Sequence, residues 1–215
     1  MNSHYLYEDS KVLSCIAKKN ATILDIGCGE GRYIIPLSKE GHHCVGVDIN
    51  PILVHRLKEM GLDAYTPADL NCSNDSFDYV IMSHIIEHIS PAQFIPFMDN
   101  YISKLKVGGK LIISTPMLYD EFYDDYDHIK PYTPKSITVL YSDYTQQQQK
   151  PRYRLENTDI WLRKWPYVLR QYPPKSYLKG KLYRIVNILL MGVYSISFHL
   201  ISRTTGWVGV YERIQ

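Results

Sequence analysis

The sequence predicts a doubly wound α/β domain with a mostly parallel sheet, and three observations carry that expectation. Over the first 116 residues, short apolar runs alternate with segments of helical period. A glycine-rich turn joins the first apolar run to the helix that follows it. Near the C-terminus, two runs at 152–161 and 207–214 alternate apolar and polar residues, as half-buried strands do. Alternating strands and helices imply a parallel sheet with right-handed crossovers and helices on both faces.

Each element has its own signal. Residues 21–26 (ATILDI) read as a buried strand, and a helix is expected over 32–39 after the glycine turn. Residues 43–47 form the second strand. Pro51 then suits the first position of a helix, where its missing N–H costs nothing, and Gly61 stops that helix after Met60. A short strand is expected at 64–67, then a polar turn at 71–76. Residues 77–82 (FDYVIM) are a strongly apolar strand. Ser90 and Pro91 open a helix expected to reach Leu105, and Gly108-Gly109 turn the chain into a strand at 110–114. An acidic, aromatic loop at 118–128 is expected over the sheet edge, then a helix at 133–144 and an exposed glutamine run at 146–149.

The composition bounds the function. At 215 residues the chain is expected to form one domain, 1–215, and its 45% hydrophobic and 21% charged residues are ordinary for a soluble globular protein. A net charge of +2 gives no overall electrostatic case for a nucleic-acid partner. The four cysteines (Cys15, Cys28, Cys44, Cys72) contain no CxxC pair, which points to a reducing, cytoplasmic compartment and away from a zinc ribbon. The N-terminus is polar and mixed in charge, unlike a secretory signal.

Gly27, Gly29 and Gly31 stand where the first strand meets its helix, in Asp25-Ile26-Gly27-Cys28-Gly29-Glu30-Gly31. Glycine is required there because the backbone must turn sharply and approach a ligand closely. Asp48 ends the next strand, where a carboxylate can accept both hydroxyls of a ribose, and Asp69 follows the third. A dinucleotide fingerprint needs glycine at position 32, which is Arg32; the spacing here is GxGxG.

That spacing, with Asp25 before it, resembles the first motif of class I methyltransferases, and the resemblance covers about residues 20–145. ILDIGCGEGRY (23–33), VGVDIN (45–50), FDYVIMSHIIEHI (77–89) and GGKLIISTP (108–116) occur in that family's order. The chain looks most like the group containing the ubiquinone-biosynthesis O-methyltransferases. The resemblance implies a seven-stranded Rossmann-like sheet and S-adenosylmethionine as cofactor. By it, Asp25, Gly27, Gly29 and Gly31 surround the methionine end, Asp48 and Ile49 hold ribose and adenine, Asp69 and Leu70 close the adenine site, and Ser83 faces the methionine amino group.

Two histidine patterns compete for attention. His84-Ile85-Ile86-Glu87-His88 spells HxxEH, a zinc-protease motif when it lies on a helix. Here it follows directly on a buried strand, and Ser90-Pro91 starts another helix two residues later, so no metal is expected. His88 alone remains of interest on the ligand side of the sheet. The stretch 125–134 resembles the Asp-x-x-His-x-x-Pro-Tyr-Thr-Pro pattern of methyltransferases in bacterial surface-polysaccharide pathways. The resemblance makes His128 a candidate general base, oriented by Asp125 or Asp124.

The two C-terminal strands bracket an expected helical insertion at 163–205. Within it, residues 185–201 carry no formal charge and are flanked by Lys179, Lys181, Arg184 and Arg203. Three readings stand open: a helix packed on the domain, a homodimer contact, or a peripheral membrane contact through 178–203 at the inner membrane face. The expected activity is methyl transfer to oxygen on a small-molecule, sugar or glycan acceptor. A lipid-linked quinone precursor is the alternative acceptor, and a non-catalytic cofactor-binding scaffold the alternative role.

Overall fold

A computed structural model describes residues 3–70, 74, 76–143, 146, 148–169 and 177–215. Cys72 and most of the polar turn at 71–76 lie outside the described residues. In chain order the elements are α1 (Ser3–Ser14), β1 (Thr22–Ile26), α2 (Ile34–Lys39), β2 (His43–Val47), α3 (Pro51–Glu59), β3 (Asp63–Tyr65), β4 (Phe77–Ser83), α4 (Pro91–Ile102), β5 (Leu105–Pro116), α5 (Pro134–Leu140), β6 (Leu155–Trp165), α6 (Tyr177–Ile196) and β7 (Arg203–Arg213).

The strands form one seven-stranded sheet in the order β3-β2-β1-β4-β5-β7-β6. β1 to β5 run parallel, and β7 runs antiparallel to both β5 and β6. The order reverses between β1 and β4, and the carboxyl ends of those strands form the crevice where open α/β sheets bind ligands.

The central strands β1, β4 and β5 are buried on both faces, so they read as near-continuous apolar runs. Leu24, Ile26, Val80, Met82 and Ile113 pack on one face against Phe94, Met98 and Ile102 of α4 and Ile137 of α5. Ile23, Ile81 and Ile112 pack on the other against Val12 of α1, Ile34 and Leu37 of α2, and Val54 and Leu57 of α3. Burying such a side chain stabilises the fold by roughly 1.5–3 kcal/mol relative to leaving it in water.

Several expectations needed correction. Helix α4 stops at Ile102, and Leu105 already belongs to β5. Strand β5 runs through Gly108-Gly109 because pairing with β4 jumps from Phe77–Leu105 to Tyr79–Lys110. The intervening residues bulge, with Gly108 at φ +77°. β6 and β7 extend further toward the insertion than the alternating runs indicated, to Trp165 and from Arg203. Helix α1 was not among the expected elements, yet it buries Val12 and Glu8.

Candidate functional site

The glycine turn forms as its spacing requires. Gly27, Gly29 and Gly31 have φ of +72°, +53° and +86°. The turn is clipped to the end of β2, since Gly27 N–H donates to the Val47 carbonyl at 2.7 Å and Gly29 N–H to Asp48 Oδ2 at 2.9 Å. A Cβ on Gly27 would meet Ile85 Cδ1 at 2.0 Å, and one on Gly31 would crowd Ile35 and Leu57. Gly29 differs: a Cβ there would meet nothing within 4 Å. Packing therefore explains two of the glycines, and the third faces open space.

Beside the turn, Asp25 is 1% exposed, and its Oδ2 has no hydrogen-bond partner among the described residues. Burial pushes its carboxyl up to about 8; Arg32 opposes that shift and Asp48 adds to it. A buried carboxyl of this kind is matched by a cationic or N–H-bearing group and not by a phosphate. Asp48 Oδ1 accepts from Asn50 N–H at 2.8 Å, which fixes the carboxylate while each oxygen keeps a second lone pair for a ribose hydroxyl. Ile49 is 85% exposed beside it and offers a flat apolar surface.

Asp69 and Leu70 follow β3, in a turn where Asp69 Oδ2 accepts from the Thr66 hydroxyl at 2.6 Å and Leu70 packs on the core. No hydrogen bond among the described residues joins them to the glycine turn. Ser83 ends β4, and its hydroxyl lies 3.0 Å from the Tyr33 hydroxyl, which donates to Asp9 Oδ1 at 2.9 Å. Asp9 comes from α1, so the helix that sequence reasoning missed reaches into this site.

The same helix brings a second carboxylate. Glu8 is buried and contacts Arg163, the Ser114 hydroxyl and His84 Nε2. Burial alone would raise its pKa, but His84 and Arg163 hold it down at about 2. His84 has φ +55° at the end of β4, and its Nδ1 lies 3.3 Å from Glu87 Oε1. Burial works against its charge, yet Glu8 and Glu87 outweigh that and lift it to about 9. His84 is thus an imidazolium held between two carboxylates. The HxxEH residues do not share a helix face: His84 sits in the bend after β4, and residues 86–88 form a single 3₁₀ turn.

His88 meets a different histidine. The segment after β5 crosses the mouth of the site, where Ile129 N–H donates to the Glu87 carbonyl at 2.8 Å, and this brings His128 within 5.0 Å of His88 between ring centroids. His88 Nδ1 lies 3.1 Å from the Asp127 carbonyl, and His128 Nδ1 lies 2.6 Å from the Phe122 carbonyl. A carbonyl only accepts, so both rings carry hydrogen on Nδ1 and keep Nε2 as a lone pair when neutral. The Phe122 carbonyl therefore orients His128, while Asp125 lies on the opposite side, 3.6 Å from Nε2 and more than half exposed. Ligand atoms of Glu87, His88 and His128 lie within 4.8 Å of one another, so the trio can hold a metal ion. An ion would share Glu87 with Thr115, which donates to Oε2 at 2.9 Å, and with the His84 imidazolium.

Comparison with known proteins gives the family and the fold. The methyltransferase domain family matches residues 4–172. A ubiquinone biosynthesis O-methyltransferase of Nitrobacter winogradskyi is 27% identical over 114 residues, half of this chain and 42% of that protein. A carboxy-S-adenosyl-L-methionine synthase of Campylobacter jejuni is 26% identical over 153 residues, 67% of this chain and 61% of that one. The chain thus spans about half the length of the curated relatives it matches. A crystal structure of a SAM dependent methyltransferase from Archaeoglobus fulgidus superposes with a TM-score of 0.62 at 19% identity, covering 97% of this chain and 94% of that one, and so shares its fold. By its sequence and its sheet, the chain belongs to the methyltransferase domain family.

Proposed function

We propose that this protein binds S-adenosylmethionine and transfers its methyl group to oxygen, with a sugar or glycan hydroxyl as acceptor. The observation that carries the cofactor reading is the buried Asp25 carboxyl, whose Oδ2 has no partner among the described residues, beside a glycine turn whose middle glycine faces open space. A pyrophosphate placed there would meet an acid; the amino group of a methionine tail would meet its complement. Gly27, Gly29 and Gly31 let the backbone approach that tail, and Ser83 adds a hydroxyl near it. Asp48 holds the ribose, with Ile49 under the adenine and Asp69 and Leu70 beyond it.

Bound S-adenosylmethionine supplies a methyl carbon already activated by its positive sulfur. The protein holds the acceptor in line with that carbon and takes the hydroxyl proton as the new O–C bond forms. His128 Nε2 is the acceptor of that proton, with His88 beside it to position the substrate or share the proton. Asp125, on the Nε2 side of His128, steadies the charge that results. A lipid-linked phenol of quinone biosynthesis is the second acceptor class, supported by the Nitrobacter relative. An acceptor carried on a lipid would put the reaction at the cytoplasmic face of a membrane.

Calorimetric titration of the purified chain with S-adenosylmethionine and with NAD tests the reading. Micromolar binding of the first alone, lost in Asp48→Ala, is the expected result. Binding of NAD, or of neither, overturns it. Binding without turnover on any hydroxyl acceptor would leave a scaffold in place of an enzyme.

A further inference from the structure

Helix α6 presents its apolar side to the outside. Its inner side is pinned by polar groups: Asn187 exchanges hydrogen bonds with both backbone groups of Leu169, at 2.8 and 3.1 Å, and the Tyr194 hydroxyl donates to the Lys164 carbonyl at 3.0 Å. The opposite side carries Leu182, Ile185, Ile188, Leu189 and Ile196, all exposed, with Ile188 at 70% and Ile196 at 81%. Phe198 and Leu200 continue this surface at 89% and 80%. The ordinary arrangement of a surface helix is therefore inverted, and an apolar patch of this extent marks a contact surface.

Charge says what covers it. Of the chain's 24 Lys and Arg residues, eight lie in residues 163–205, and none of its 22 Asp and Glu residues does. Arg163 is committed to Glu8, and Arg203 to Glu121 at 3.0 Å. Lys164, Lys181 and Arg184 are exposed around the apolar patch. A second copy meeting this face through a two-fold axis would set basic segment against basic segment. An anionic bilayer complements it in both charge and hydropathy. No helix among the described residues is long and apolar enough to cross a membrane. Phe198 and His199, at φ +50° and +65°, turn the chain back toward β7.

We infer that α6 and the turn after it lie in the surface of an anionic membrane, with Ile185, Ile188, Leu189, Ile196 and Phe198 below the headgroups and Lys164, Lys181 and Arg184 among the phosphates. The topology gives this a consequence for the site. Pro116, at the end of β5, pairs with Gly206, and Arg203 at the start of β7 pairs with Trp165. The insertion therefore leaves the sheet at the same end as the glycine turn and the His88–His128 pair. The membrane contact and the mouth of the site share one end of the sheet, which suits an acceptor carried on a lipid. Only that last step rests on the proposed function.

Vesicle co-sedimentation of the full chain tests the docking. Vesicles of phosphatidylcholine alone are compared with an equal mixture of phosphatidylcholine and phosphatidylglycerol. The wild-type chain sediments with the mixed vesicles. Lys181→Glu with Arg184→Glu lowers its partitioning by about tenfold or more, and Ile188→Glu with Leu189→Glu brings it to background. These side chains are exposed, and unchanged S-adenosylmethionine binding reports that each variant is folded. Wild-type protein left in the supernatant of the mixed vesicles overturns the inference, as does binding that neither variant weakens. A dimer in solution that Ile188→Glu dissolves, without vesicle binding, assigns the patch to a second copy instead. Failure to bind S-adenosylmethionine would overturn the functional reading and leave the docking result standing, with circular dichroism then reporting the fold.

Discussion

His88 and His128, 5.0 Å apart between ring centroids, each direct Nδ1 at a backbone carbonyl. Two imidazoles that each keep a lone pair on Nε2 when neutral are suited to accept a proton, and on the proposed function His128, with Asp125 beside its Nε2, is the base. His128→Ala is expected to lower kcat on a hydroxyl acceptor by roughly 10²–10⁴-fold, the usual contribution of a positioned base. His88→Ala should cost less, and the double variant less than the product of the two, because the residues act as a unit. S-adenosylmethionine affinity should stay unchanged in all three. A chelator should leave kcat unaltered, because His84 already supplies positive charge at Glu87. Steady-state rates with and without chelator, beside calorimetry, check these outcomes; a loss of cofactor binding in His128→Ala would remove it from the role of base.

Gly29→Ala separates ligand contact from packing. No atom lies within 4 Å of the added Cβ, so the variant should fold, losing only about 1 kcal/mol to the positive φ. If the cofactor approaches the turn at this point, the methyl group should weaken its binding by at least about tenfold, or 1.4 kcal/mol. Thermal unfolding and titration of the same sample distinguish the two effects. Gly27→Ala, whose Cβ collides with Ile85 at a positive φ, should instead lower the unfolding temperature more than Gly29→Ala does.

The buried network of Glu8, His84 and Arg163 ties α1 to β4, β5 and β6. Breaking such a network from one side typically costs about 3–5 kcal/mol, which is the loss expected for Glu8→Ala in chemical denaturation. The pH dependence follows from the two shifts. Glu8, held down at about 2, contributes stability that is present above its unfolded pKa and is lost as pH falls toward 2. His84, lifted to about 9, contributes stability that is full below its unfolded value of 6.5 and is lost as pH rises through 9. The network therefore stabilises most between about pH 4.5 and 6.5. Glu8→Ala should flatten both limbs of the profile.

The parallel half of the sheet was legible because its strands are short apolar runs and its turns carry glycine or proline where the backbone demands them. The glycine turn and Asp48 could be placed from spacing alone, since both belong to one β-α-β unit. The histidine site was only half legible. His88 and His128 could each be named, but their meeting depends on Ile129 and Lys130 docking on the Glu87 carbonyl, a backbone contact with no side-chain signature. Helix α1 was missed for a related reason. Its buried face includes Glu8, which reads as a surface residue until Arg163 and His84 arrive from distant parts of the chain. In α6 the uncharged stretch at 185–201 was visible, but the side facing outward was not, because the inner side is fixed by Asn187 and Tyr194.

Asp25 gives the prediction with the most direct sign. Its carboxyl, pushed up to about 8 by burial, is protonated in the ligand-free fold at neutral pH, whereas an unfolded aspartate is already ionised. The unfolded state then binds fewer protons than the native one between about pH 4 and 8, so this group makes the fold less stable as pH rises through that window. Asp25→Asn should remove that slope and gain about 1–3 kcal/mol at pH 8 relative to the wild type, where an unpartnered buried charge would otherwise have to form. The same substitution should weaken S-adenosylmethionine by about ten- to a hundredfold, the worth of a charged hydrogen bond to an amino group. Binding should therefore release a proton from Asp25 at pH 6.5 and almost none at pH 9. Calorimetry in buffers of different ionisation enthalpy measures that release directly. Equal heats in all buffers at pH 6.5 would mean that Asp25 does not meet the amino group, and that its burial serves the turn alone.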